Sequence, residues 1–326
     1  MSHSSNRRPI PRLPILLGAS AVLLVLVVLW STGLFSPAPA AGPDSSSVPP
    51  AASSSGSSSP SSPVPSEITV PILLYHNVDE TGEGDYSITQ ETFLSHLDAL
   101  QQAGYETVTF QQMAAYVEQG EPLPEHPVAL TFDDGYLSNY EIVWPALRER
   151  GMTGTIFIIG SSVGKDTYKD TGAGIIPHFS YEQAEEMSSS GVLSIQLHTY
   201  DMHQYQPLEP DGGRRGCLPR PDESPEQYLQ ALTDDFSKAI QELEENTSET
   251  ALVLSYPGGD YSQEAEQVSA QLGLRVSVTT AAQPAVLVQA DPSSLRLLGR
   301  YNIDDCTPQE LLDLLSAAVV EQPQEG

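Results

Sequence analysis

Thr131-Phe132-Asp133-Asp134-Gly135 places two adjacent carboxylates and a glycine at the end of an apolar run, Val128-Ala129-Leu130. Burying either carboxylate unpaired is costly, so the fold must give each a partner. One arrangement ties one Asp to a metal and leaves the other free to take a proton from water. Alone, Asp-Asp-Gly is also a common turn. His198-Thr199-Tyr200-Asp201-Met202-His203 adds two imidazoles. On a helix, a spacing of five would turn them about 140° apart. In a loop after a strand, both rings can face one ion. Two neutral imidazoles and a carboxylate are a common ligand set for a divalent transition metal with open positions. A single histidine is more often an ordinary residue, and His96, His126 and His178 are read that way.

These groups need elements that bring them together. Short apolar or β-branched runs predict strands at 70–75, 106–109, 128–132, 155–159, 193–198, 252–256, 275–279 and 295–301. Helical spacing and stop signals predict helices at 89–103, 111–118, 140–150, 180–189, 224–245 and 263–272, with a last helix after Thr307. Ser180 with Gln183, Ser224 with Gln227 and Thr307 with Glu310 read as N-terminal caps with a reach-back side chain. About seven βα repeats imply an α/β fold with a parallel sheet, doubly wound or closed into a barrel. In both, functional residues collect at the C-terminal ends of strands. His76-Asn77, Asp133-Asp134-Gly135, the 198–203 run and Pro257-Gly258-Gly259-Asp260 all fall there.

The flanking sequence bears on location. Arg7, Arg8 and Arg12 close a basic stretch at 1–12, followed by an apolar segment at 13–35. That is about the length needed to span a bilayer, and the basic flank predicts a cytoplasmic N-terminus. A cleaved signal peptide is the competing reading, with Ala38-Pro39-Ala40 as its cleavage site, but its apolar core is usually shorter. Residues 36–66 are rich in Ser, Pro and Ala and read as a disordered tether. The folded domain is expected over 67–326, on the outer side of a membrane or secreted. A net charge of −29 argues against nucleic acid as a partner. The domain is expected to be monomeric. Cys217 and Cys306 are too few for a disulfide-built scaffold, and a bridge between them would only staple loops.

Taken together, the 131–135, 198–203 and 256–259 motifs resemble the polysaccharide deacetylases of the NodB-homology type, carbohydrate esterase family 4. Pro71-Ile72-Leu73-Leu74-Tyr75-His76-Asn77-Val78 is similar to the opening of a large branch of that family. The resemblance implies a distorted (β/α)7-type barrel that removes acetyl groups from acetylated amino-sugar polymers. It also implies Asp133 as general base and Asp134, His198 and His203 as ligands of one divalent metal, Zn2+ foremost, with Co2+, Ni2+ or Fe2+ as alternatives. The backbone N–H of Gly258 would be the oxyanion donor.

The five-residue histidine spacing is similar to that of the poly-N-acetylglucosamine de-N-acetylases. Peptidoglycan is the other polymer expected. Gly258 stands where an aromatic residue is usual, and Ser255 where many members carry an arginine. Arg300, at another predicted strand end, is a candidate to orient Asp133. Leu298-Gly299-Arg300-Tyr301-Asn302 occupies the place of a late catalytic histidine. The leaving amine is therefore left with His76 or water as its proton source. Asp201 is either a partner for a ligand imidazole or a solvent-facing residue. An O-acetyl esterase on xylan-like polymers and a non-catalytic carbohydrate-binding module are the rival readings.

Overall fold

The computed structural model describes residues 66–84, 86–304 and 306–320. The expected anchor at 13–35 and the tether up to residue 65 lie outside the described residues. Among the described residues, no helix is long and apolar enough to cross a membrane. The twelve strands are β1 Glu67–Val70, β2 Ile72–Tyr75, β3 Asn77–Asp79, β4 Ser87–Thr89, β5 Glu106–Thr107, β6 Pro127–Phe132, β7 Gly154–Ile158, β8 Leu193–Leu197, β9 Val253–Ser255, β10 Val276–Val278, β11 Ala285–Val288 and β12 Tyr301–Asn302. The helices are α1 Gln90–Gln102, α2 Phe110–Gln119, α3 Trp144–Arg150, α4 Tyr181–Ser189, α5 Pro225–Asn246, α6 Gln263–Gln271 and α7 Pro308–Val320.

The main sheet runs β10-β9-β8-β7-β6-β2-β12, with β5 beside β6, and its neighbouring strands are all parallel. It curls until its ends meet at one parallel bridge, Val278 to Leu298. Leu298 N–H donates to Ser277 O at 2.9 Å, and Thr279 N–H to Leu298 O at 2.8 Å. The expected distorted barrel is therefore present, closed by a single bridge, as narrow as the one registered pair between β8 and β9.

Strand alternation sorts the two faces of that wall. Val128, Leu130 and Phe132 join the core formed with Phe93, Leu147 and other helix residues. Ala129 faces the other way, into a cluster with Phe157, Val253 and Val276. Thr131 and Asp133 share Ala129's parity, so the same alternation that buries β6 aims Asp133 along the barrel interior. α2 and the antiparallel β1–β11 pair supply Phe110, Met113, Val70 and Leu287 to that inner cluster.

Local chemistry explains most element ends. Thr109, Ser180 and Ser224 each form the reciprocal cap with a Gln three residues on. Thr307 and Glu310 do the same at α7. Each such cap is worth about 1 kcal/mol. Three expectations needed correction. The run 70–75 splits at Pro71, because β1 pairs with β11 while β2 joins the barrel. The helix expected at 140–150 begins as a π-helical turn at Asn139–Val143. Pro145 has no N–H for the Glu141 carbonyl, so the α-helical pattern cannot run through it. The strand expected at 295–301 is instead a 3-10 turn at Pro292–Leu295, a single bridge at Leu298 and the short β12. No disulfide joins Cys217, which is buried, to Cys306, which is half-buried.

Gly299 is where the returning chain passes closest to its neighbours. A Cβ there would sit 2.5 Å from Ala281 O and 2.6 Å from Gln283 O. Gly299→Ala should therefore cost about 1–3 kcal/mol, by analogy with overpacking. Gly174→Ala, with nothing within 4 Å, should be near neutral. Urea unfolding of both variants checks this, and equal midpoints would refute the close-approach account.

Candidate active site

Three strand ends and one returning segment build the site. Asp133 and Asp134 follow β6, His198 and His203 follow β8, and Ser255 closes β9. Arg300 immediately precedes β12. Asp134 takes a left-handed φ of 75° and Thr199 one of 68°, while Gly258 has φ 61°. Such turns let a strand end swing its side chain sideways over the barrel mouth. For a β-branched residue such as Thr199, strain of this kind costs about 1–3 kcal/mol.

Arg300 is fully buried, and its guanidinium is completely used. Nε donates to Thr279 O at 2.9 Å. Nη1 donates to Asp133 Oδ1 at 2.7 Å and to Thr131 Oγ1 at 3.3 Å. Nη2 donates to Asp133 Oδ2 at 2.8 Å and to Ser255 Oγ at 2.9 Å. All five donors of the fork are thus satisfied. Burial works to raise the Asp133 carboxyl, but the Arg300 charge and hydrogen bonds, together with the nearby His198 and His76, outweigh it and hold the group well below the ordinary carboxylate range. Ser255 is the small partner that leaves room for this fork. The positive charge missing from position 255 arrives from the returning segment instead.

The neighbouring carboxylate is left open. Tyr136 OH donates to Asp134 Oδ2 at 2.8 Å. Burial and then the Asp134 charge push that phenol far up, so it stays a donor. Asp134 Oδ1 is buried and has no hydrogen-bond partner. It lies 3.5 Å from His198 Nε2 and 3.6 Å from His203 Nε2. His198 Nδ1 meets Ser255 O at 2.9 Å, which fixes Nδ1 as the donor and leaves the Nε2 lone pair facing Asp134. Burial pushes the His198 imidazole down to about 4, so the ring is neutral and the contact is no ion pair. One oxygen and two imidazole nitrogens within 4.8 Å of one another are a donor set for a divalent metal. The orphaned oxygen is the observation that fits an ion there.

His76 is half-buried, and its ring packs on Tyr86 at 4.9 Å between centroids. It is near enough to act on the carboxyls of both Asp133 and Asp134. Gly258 shares a groove with His203. Asp201 does not reach either ligand imidazole in a hydrogen bond; it accepts from Ser161 Oγ at 3.0 Å and Lys169 Nζ at 2.9 Å. The 198–203 loop is instead tied by Asp235 of α5, which accepts from the N–H groups of Tyr200 and Asp201 at 2.8 and 2.7 Å. Sequence reasoning missed Tyr136, Asp235 and His178. His178 packs against Tyr136 with the rings tilted, 5.1 Å between centroids, close enough for Asp134 and His203 to act on it.

The Asp133–Arg300 pair has a pH signature. The folded pKa of Asp133 lies below its ordinary 3.8. Its stabilisation is therefore present above that value and lost as pH falls through the folded pKa. Arg300→Met would leave a buried unpaired carboxylate, costing about 3–5 kcal/mol at neutral pH. Unfolding midpoints of wild type and variant, followed from about pH 7 to about pH 3, should converge toward acid. A gap that stays constant with pH would mean that Arg300 acts by packing alone.

Comparison with known proteins places these segments. The family described as "Polysaccharide deacetylase" matches residues 120–277, which include Asp133, Asp134, His198, His203 and Gly258. YxkH of Bacillus subtilis (strain 168), by its own name only a provisional polysaccharide deacetylase, is 29% identical over 65% of this chain and 64% of its own. The poly-beta-1,6-N-acetyl-D-glucosamine N-deacetylase of Staphylococcus aureus (strain MRSA252) is 24% identical over 59% of this chain and 60% of its own. The chain thus spans less than two thirds of the length of these relatives. The solved structure of a de-N-acetylase from Aggregatibacter actinomycetemcomitans shares the fold, with a TM-score of 0.66 at 23% identity, over 76% of this chain and 100% of its own. The matched segments are those that carry the paired carboxylates, the two imidazoles and the Gly258 turn, and residues 120–277 match as a polysaccharide deacetylase domain.

Proposed function

We propose that the protein is a metal-dependent hydrolase removing N-acetyl groups from an N-acetylglucosamine-containing polysaccharide, poly-N-acetylglucosamine in the first place and peptidoglycan in the second. The observation that carries this reading is the buried, unpartnered Oδ1 of Asp134. It faces two imidazole nitrogens and adjoins a carboxylate held ionised by Arg300. The Staphylococcus relative favours the first polymer.

Asp134, His198 and His203 would hold the ion, and a donor set of one carboxylate oxygen and two imidazoles suits zinc. A divalent metal bound there supplies a Lewis acid that polarises the acetyl carbonyl and makes a water proton labile. Asp133 accepts that proton as the water oxygen adds to the acetyl carbon. A carboxylate held this low is a weak base, so it serves only a water whose proton is already labile. Arg300 and Ser255 orient its two oxygens. The Gly258 N–H donates to the oxygen that gains charge. The C–N bond then breaks, giving acetate and an amine that needs one proton. His76, beside both carboxylates, or water provides it. The apolar segment at 13–35 would hold the enzyme at the outer face of a membrane.

A panel of acetylated glycans tests the reading. Acetate release from N-acetylglucosamine oligomers is expected, whereas release from acetylated xylan alone would replace the deacetylase by an esterase. Asp133→Asn should lose at least about 100-fold in turnover, the scale of a general base, yet keep its metal. Asp134→Asn should lose both. Zinc at a hundred times its dissociation constant should stabilise the wild type by about 2.7 kcal/mol. No bound metal and no rise in melting temperature would favour a non-catalytic binding module.

A further inference from the structure

The exposed aromatic residues of the described chain are Tyr86, Tyr205 and Tyr261. All three lie on loops at the C-terminal ends of the barrel strands. Tyr86 lies in the β3–β4 loop, Tyr205 follows His203, and Tyr261 follows the Gly258 turn. Exposed aromatic rings carry a desolvation liability, and their confinement to one rim calls for a ligand with apolar faces.

Each ring stands on a built support. Tyr86, 64% exposed, packs against His76 and takes a left-handed φ of 62°, which a bulky residue adopts only where its surroundings hold it. Tyr261 stacks on the buried Tyr256 at 5.3 Å. Tyr205, 59% exposed, donates its N–H to Tyr168 OH at 2.9 Å. That hydroxyl in turn donates to Glu209, which also pairs with Lys169. Tyr205 borders a groove of about 440 Å³ that His203, Gly258, Arg215 and Asp260 also line. The far wall is pinned by Arg215, whose Nε and Nη2 donate to Asp260 at 2.7 and 3.1 Å, and by a backbone bridge from Arg215 to His203. The aromatic side chain that Gly258 lacks is thus replaced by a ring from the neighbouring loop.

Sheet order gives the direction. β6, which Asp133 and Asp134 follow, lies between β2 and β7, with β8 beyond β7. His76 with Tyr86 stands on the β2 side, and His203 with Tyr205 on the β8 side. We propose that Tyr86 and Tyr205 are sugar-stacking platforms on opposite sides of the catalytic centre, so that a polymer of acetylated amino sugars lies across it and is deacetylated at internal residues. Sugar rings offer apolar C–H faces to such platforms, while the Arg215–Asp260 pair meets hydroxyls. This inference rests on the proposed function and deepens it.

The test uses N-acetylglucosamine oligomers of increasing length and a small activated acetyl ester. For the wild type, kcat/KM should rise with length, and the product should lose its internal acetyl groups first. Tyr205→Ala and Tyr86→Ala should each lower the ratio of long-oligomer to small-ester turnover about tenfold, mainly through KM. Tyr205→Phe should keep the ratio. Leu229→Ala, an exposed apolar residue of α5, should change nothing. A flat length dependence, terminal deacetylation first, or an unchanged ratio in both Ala variants would overturn the inference while the deacetylase reading stands. Affinity electrophoresis through soluble polymer covers the remaining cases. An inactive wild type that is retarded through Tyr205 and Tyr86 would sink the deacetylase reading and keep the platforms, and one that is neither active nor retarded would sink both.

Discussion

The ion pair between Arg300 and Asp133 is the constraint on which the site depends. A buried guanidinium is tolerable only when its donors are all met, and here the partners come from the ends of β6, β9 and β10. The pair therefore does two things at once. It helps hold the Asp133 carboxyl low in a place where burial acts to raise it. It also draws the returning segment before β12 across the barrel interior, toward strands with which that segment shares only the bridge at Leu298.

Against this fully satisfied pair stands the unsatisfied oxygen of Asp134. The two adjacent carboxylates share a strand end and differ in every partner. Alternation along β6 sends Asp133 inward to Arg300. The left-handed turn at Asp134 rotates the next carboxylate toward the two imidazoles. One aspartate is thereby paired with a permanent cation, and the other leaves a buried oxygen open toward two imidazole nitrogens. Tyr136 and Ser255 sharpen the division by occupying Asp134 Oδ2 and the His198 Nδ1 position.

Much of this was legible in the chain because strand ends are punctuated. The β6, β8 and β9 runs each stop at a polar cluster, and those clusters are the site. Arg300 was legible as a candidate because it sat at a predicted strand end while position 255 lacked an arginine. The supports were not. Asp235 lies within a 22-residue helix whose pattern shows only its amphipathic face, so nothing local says that its carboxylate caps the 198–203 loop. Tyr136 is two residues from Asp134, and a phenol so near a ligand carboxylate was a signal that could have been read. His178 was taken as ordinary because no motif surrounds it, and its place against Tyr136 comes from a long loop with no periodicity. β1 with β11 and the short β3–β4 pair were illegible because their partners are set by tertiary contacts rather than by pattern.

The order of the barrel strands along the chain bears on when the buried charge pair can form. β2, near the start of the domain, pairs with β12, near its end. The cation that pairs with Asp133 sits at that late position. A chain that lacks residue 300 would carry the paired carboxylates and the imidazoles without the guanidinium that makes burial of the Asp133 carboxylate tolerable. The charge pair that seats Asp133 inside the barrel is complete only once the returning segment has reached it.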